Sequence, residues 1–188
     1  MVDQKLNKIS NSFWDYTKIR GSTISLGRTL ETSLGLGCTM IMNKKLKEIS
    51  LPFPRNVLAH DNWLSLVAVC FGKVKYVDIP TLLYRQHSSN VSGAEKMNIV
   101  LMLKNLLRRE KMEQFRKNYY QKRNQAIDFY ENYKSKLSNK QVEIIETYIS
   151  LANYKPVIRV LKIIQKGISY TGGNIRDIAR LLMRWPFL

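Results

Sequence analysis

The chain has 188 residues, room for one domain or one and a half and enough to bury a core, with an ordinary hydrophobic share of 45%. It carries 31 Lys and Arg against 14 Asp and Glu, a net charge of +17, so its surface favours a polyanion or an anionic membrane. A disulfide framework, a zinc site and a membrane-spanning helix are excluded. There are two cysteines, no CxxC or His/Cys cluster, and no apolar run approaching about 18 residues.

The excess charge leans toward the second half. Residues 1–93 hold 12 Lys and Arg against 6 Asp and Glu, and residues 94–188 hold 19 against 8. The N-terminus, MVDQKLNKIS, has no apolar core region of a signal peptide, which leads to the expectation of a cytoplasmic or membrane-surface protein. Cys38 and Cys70 lie in apolar stretches and read as two buried free thiols.

In chain order, Phe13-Trp14-Asp15-Tyr16 is an aromatic cluster that lines a pocket or packs on the core. After Gly35-Leu36-Gly37, the run Cys38–Met42 reads as a buried strand. Asn43 caps a short helix over NKKLKEIS. Leu51-Pro52-Phe53-Pro54 is extended, because each proline biases its predecessor away from helix. Asp61 is placed to cap a core helix over Asn62–Phe71, with Trp63, Leu64, Leu66, Val67, Val69 and Cys70 apolar and Gly72 as the stop. Lys73–Val77 alternates as a strand does, and Thr81–Arg85 gives a second short extended run.

From Ala94 helical periodicity takes over, and a boundary is placed near 94–98. Ile99, Met102, Leu103, Leu106 and Leu107 form one stripe, followed by a long polar helix over roughly 110–136. Ser138 with Gln141 is a capping box. Pro156 opens a helix with Val157, Ile158, Val160, Leu161, Ile163 and Ile164 apolar, and with Arg159, Lys162 and Lys166 on the other side. After Gly172-Gly173 a last helix sets Arg176, Arg180 and Arg184 beside an apolar face with Trp185. That pattern fits either an interfacial helix on an anionic membrane or a helix packed on the domain with its arginines in water.

The segments GCTMIMNKKL at 37–46, LPFP at 51–54, HDNWLSLVAVCFG at 60–72 and YRQHSSNVSGA at 84–94 together resemble the C-terminal part of family 2 bacterial glycosyltransferases, in the rhamnosyltransferase-like branch. The resemblance covers residues 1–94 well and the basic tail more loosely. It implies an α/β fold class: the C-terminal half of a GT-A nucleotide-diphospho-sugar transferase fold, followed by a basic helical region over 95–188. It also implies inverting transfer of a sugar from a nucleotide-diphosphate donor to a cell-surface polysaccharide or lipid-linked acceptor.

The resemblance further implies roles for individual residues. Asp61 corresponds to the general base that deprotonates the acceptor hydroxyl, where the residues alone suggest a helix N-cap. His60 and Trp63 stand beside it, and Gly37 and Cys38 match the segment lining the acceptor side. Arg85 corresponds to a diphosphate contact and His87 to a ligand of Mn²⁺ or Mg²⁺; read alone they are a surface arginine and a loop histidine.

The family's DxD motif, which carries the metal in the donor-binding half, has no counterpart here. Residues 1–36 contain only Asp3 and Asp15 as aspartates. The expectation is therefore a truncated or split enzyme, with the donor half and its divalent metal supplied by a separate chain, and lying peripherally at the inner face of the plasma membrane. Two alternatives stand beside it: a non-catalytic remnant, and a basic nucleic-acid-binding module. The second lacks any recognition-helix, RNA-binding or zinc motif.

Overall fold

The computed structural model describes residues 1–17, 24–87, 90 and 109–169. Seven helices are described: α1 (Phe13–Thr17), α2 (Leu26–Thr29), α3 (Lys44–Ser50), α4 (His60–Phe71), α5 (Arg109–Tyr133), α6 (Asn139–Ile149) and α7 (Pro156–Gln165). Short 3₁₀ turns cover Gly37–Thr39, Lys134–Lys136 and Leu151–Asn153.

Local chemistry explains where several helices begin. Asn43 Oδ1 accepts from the Leu46 N–H at 2.9 Å, capping α3. At α6 the capping box forms in full: the Ser138 N–H donates to Gln141 Oε1 at 2.8 Å, and the Gln141 N–H donates to Ser138 Oγ at 3.4 Å. Pro156 opens α7, where its missing N–H is one of the donors a helix start leaves unused.

One buried cluster holds these helices together. It takes Leu26 from α2 and Leu30 just after it, Trp63, Leu66 and Val67 from α4, and Tyr119, Ala126, Phe129 and Tyr133 from α5. Ile145 and Tyr148 of α6 join it, with Leu151, Ile163 of α7, and Ile168. The cluster draws on both sides of the expected boundary near 94–98, which itself falls outside the described residues.

Three polar ties fix the helices further. The Trp63 indole N–H donates to the Ser50 carbonyl at 3.0 Å, joining α4 to α3. The Tyr133 hydroxyl donates to the Ile49 carbonyl at 2.6 Å, and Gln141 Nε2 donates to the Cys70 carbonyl at 3.0 Å. The loop before α4 is fastened to α5, since Asp128 accepts from the Asn56 backbone and side chain, both at 3.0 Å, and Gln125 accepts from the Leu58 N–H at 2.9 Å.

The expected α/β architecture, the C-terminal half of a GT-A fold, is overturned. No strand occurs among the described residues; there are two isolated bridges, Val2 with Lys8 and Val2 with Arg85. Cys38–Met42, expected as a buried strand, enters a 3₁₀ turn and leaves Ile41 fully exposed. Lys73–Val77 and Thr81–Arg85 form no strand; the pairing recorded is one parallel bridge of Arg85 to Val2, through Val2 N–H to Tyr84 O at 3.0 Å and Gln86 N–H to Val2 O at 2.8 Å. The physical reason is that alternation marks a segment able to join a sheet, while a ladder also needs neighbouring strands.

The aromatic cluster near the N-terminus packs on these segments and takes no place in the main core. Phe13 meets Tyr84 at 5.9 Å between ring centroids, and Trp14 meets Tyr76 at 6.3 Å, both edge to face.

Candidate functional site

The site grows from the start of α4. The residue capping that helix is Ala59, in extended conformation and without a side-chain cap, so the helix begins at His60 and not at Asn62. The N-cap expected of Asp61 is thereby corrected: Asp61 sits inside the first turn. Its Oδ1 accepts from the Asn62 N–H at 2.8 Å and from Asn62 Nδ2 at 3.2 Å. The carboxylate is half-buried, and a negative charge in the first turn complements the helix dipole.

His60 is exposed and its imidazole lies against the backbone of Gly37, where any Cβ would collide with the ring. A side chain at residue 37 would therefore displace the His60 ring. Ser65 explains how the 33–37 loop reaches this point. Its hydroxyl donates to the Asp61 carbonyl at 2.7 Å, accepts from the Leu34 N–H at 3.1 Å, and stands 3.3 Å from Ser33 Oγ. The Ser65 hydroxyl thereby ties Ser33 and Leu34, a few residues before Gly37, to the first turn of α4. The sequence reading missed Ser65; a serine among apolar helical residues was the available signal, since such hydroxyls bond back to the carbonyl four residues earlier.

The remaining candidates lie differently. Trp63, expected as core or pocket wall, is 1% exposed and packs on Phe129 at 5.4 Å and Tyr133 at 5.9 Å, which places it in the core. Cys38 is exposed beside Gly37, against the buried thiol expected, and both cysteines are free. Burial pushes the Cys70 thiol up to about 12. Arg85 and His87 are exposed on the extended run beside Val2. Arg85 and His87 turn with Asn90, whose Nδ2 donates to the Arg85 carbonyl at 3.0 Å and whose N–H donates to the His87 carbonyl at 3.2 Å. Arg176, Arg180, Arg184 and Trp185 fall outside the described residues.

A divalent metal does not fit the described residues on their own. Among them no group of three or more His, Cys, Asp or Glu stands close enough to hold one. A cleft of about 410 Å³ between α5 and α6, lined by Ile127, Tyr130, Glu131, Glu146, Ile149 and Ser150, contains none of the candidate residues. Among the described residues no helix is long and apolar enough to cross a membrane.

Comparison with known proteins adds no relative: no family model, no curated protein and no solved structure matches the chain.

Proposed function

We propose that this chain is the acceptor-side part of an inverting glycosyltransferase, with Asp61 as the general base. It moves a sugar from a nucleotide-diphosphate donor onto a cell-surface polysaccharide or lipid-linked acceptor. The observation that carries the reading is the state of Asp61. It is a half-buried carboxylate at the rigid end of a core helix, with Oδ1 bonded to Asn62, beside His60 and Gly37. A general base needs this kind of fixed, reachable carboxylate. The resemblance of residues 37–46, 51–54, 60–72 and 84–94 to family 2 enzymes names the reaction.

The donor-binding half and its divalent metal come from outside these 188 residues, from the rest of a longer chain or from a second chain. Ile41, Val77, Ile79 and Leu83 stand exposed outside the helices, and such surface is costly to leave in water. Arg85 is assigned to the diphosphate, on the same exposed run. His87 as a metal ligand requires carboxylates from the donor-binding half, and no step rests on it. The protein lies peripherally at the inner face of the plasma membrane, consistent with its charge of +17.

The test is sugar transfer from UDP- and dTDP-sugars into the lipid and polysaccharide fractions, by this chain mixed with the polypeptide encoded just upstream. Asp61→Asn abolishes transfer while nucleotide binding, read by titration calorimetry, is retained. Transfer undiminished by Asp61→Asn would overturn the assignment.

A further inference from the structure

α7 buries an arginine and turns much of its aliphatic surface outward. Its buried residues are Arg159 and Ile163. Arg159 is turned inward by the preceding segment: Nε donates to the Leu151 carbonyl at 2.8 Å, and Nη2 donates to the Tyr154 carbonyl at 2.6 Å. These bonds satisfy carbonyls at the 3₁₀ turn and fix the rotation of the helix. With the arginine inside, the aliphatic stripe faces out. Val157 is 70% exposed, Leu161 60% and Ile164 58%, at the i, i+4, i+7 spacing of one helix face. Ile158 adds to the edge of the stripe.

We infer that this outward face of α7 is the surface laid on an anionic bilayer, with its three aliphatic side chains entering the headgroup–acyl boundary. A ten-residue helix is about 15 Å long and cannot span about 30 Å of hydrocarbon, so it lies in the plane of the interface. Lysines select the occupant. Lys155 precedes the helix and is exposed, and Lys162, half-buried, stands one turn beyond Ile158, at the edge of the stripe. A basic margin on a chain of charge +17 repels a second copy of itself and attracts anionic headgroups. Lys166 is committed elsewhere, to Glu143 at 2.5 Å. The inference rests on the peripheral location proposed above and names the surface responsible.

The experiment is flotation of the full chain with vesicles of phosphatidylglycerol and phosphatidylcholine, and with phosphatidylcholine alone. Three proteins are compared: the parent, V157S/L161S/I164S, and R176Q/R180Q/R184Q. Circular dichroism, melting and mass in solution are recorded for each. The parent floats with the anionic vesicles, and V157S/L161S/I164S loses about tenfold or more of that binding with unchanged melting and mass. Parent binding that survives V157S/L161S/I164S overturns the inference alone and leaves the peripheral location standing. Absence of parent binding overturns both. A lowered melting temperature or altered mass in V157S/L161S/I164S shows that protein covers this face, and also overturns the inference.

Discussion

The imidazole of His60 occupies the place where a side chain at residue 37 would begin. Because His60 is exposed, its ring is able to swing into solvent if Gly37 acquires a Cβ. Gly37→Ala is therefore expected to leave stability within about 0.5 kcal/mol of the parent while moving the ring. Imidazole resonances in an NMR spectrum read the second effect and a urea melt the first. Unmoved His60 resonances would contradict the described contact.

Trp63 offers a contrast in magnitude. As a core residue bonded to the Ser50 carbonyl, it is expected to cost about 3–5 kcal/mol as Trp63→Ala. Trp63→Phe keeps most of the apolar surface and leaves that carbonyl without its donor, a loss of about 1–2 kcal/mol beyond packing. Equilibrium urea denaturation gives both values. A wall of an open pocket would yield less than about 1 kcal/mol for Trp63→Ala, so the measurement separates the two placements.

Gly27 tests backbone packing. A Cβ there would meet the Gly167 carbonyl oxygen at 2.5 Å and the Lys166 oxygen at 2.8 Å. Backbone gives way less readily than a side chain, and Gly167 holds a left-handed φ of +60° that closes the turn after α7. Gly27→Ala is expected to destabilise by about 1–3 kcal/mol through overpacking, against the small gain an alanine usually brings inside a helix. Thermal or urea unfolding decides the sign.

The cysteines predict different reactivity and a pH effect. Cys38 is exposed and reacts with Ellman's reagent in the folded protein, while Cys70 reacts only on unfolding. The Cys70 thiol is raised from 9.0 to about 12 by burial, so the folded state keeps its proton where the unfolded state has lost it. That contribution is fully present below about pH 9 and lost as pH rises toward 12. Stability then falls by at most about 1.4 kcal/mol per pH unit from this group. Tyr133, raised in the same direction by burial, adds to the decline. Cys70→Ala should flatten the slope measured by urea melts between pH 8.5 and about 10.5.

The helices were legible where local chemistry decides them. Asn43, the Ser138–Gln141 pair and Pro156 each mark a helix start that depends on a few neighbouring residues. The long polar helix expected over 110–136 is found as α5 with a 3₁₀ turn to Lys136. The strands expected from sequence do not form among the described residues, because alternation in Lys73–Val77 records a capacity for pairing and says nothing of the partner. Asp61 was misplaced by two residues of helix boundary, since a side chain able to cap was present and the backbone of Ala59 performs that entry without one. Gly37, His60 and Asp61 were all named from sequence; the Ser65 hydroxyl that ties Ser33 to α4 acts across 32 residues, so its partner is not readable locally.

Asp61 and Trp63 lie two positions apart on α4, so at 100° per residue they point to nearly opposite sides of one rigid rod. One side is sealed into the aromatic cluster with Phe129 and Tyr133, and the other holds the carboxylate. On the role proposed for Asp61, its aim is geared to the interior: a change of ring volume at Phe129 or Tyr133 is expected to turn the rod and re-aim the carboxylate. The same proposal holds these aromatics to a volume that keeps the carboxylate's direction, a demand separate from the burial they supply.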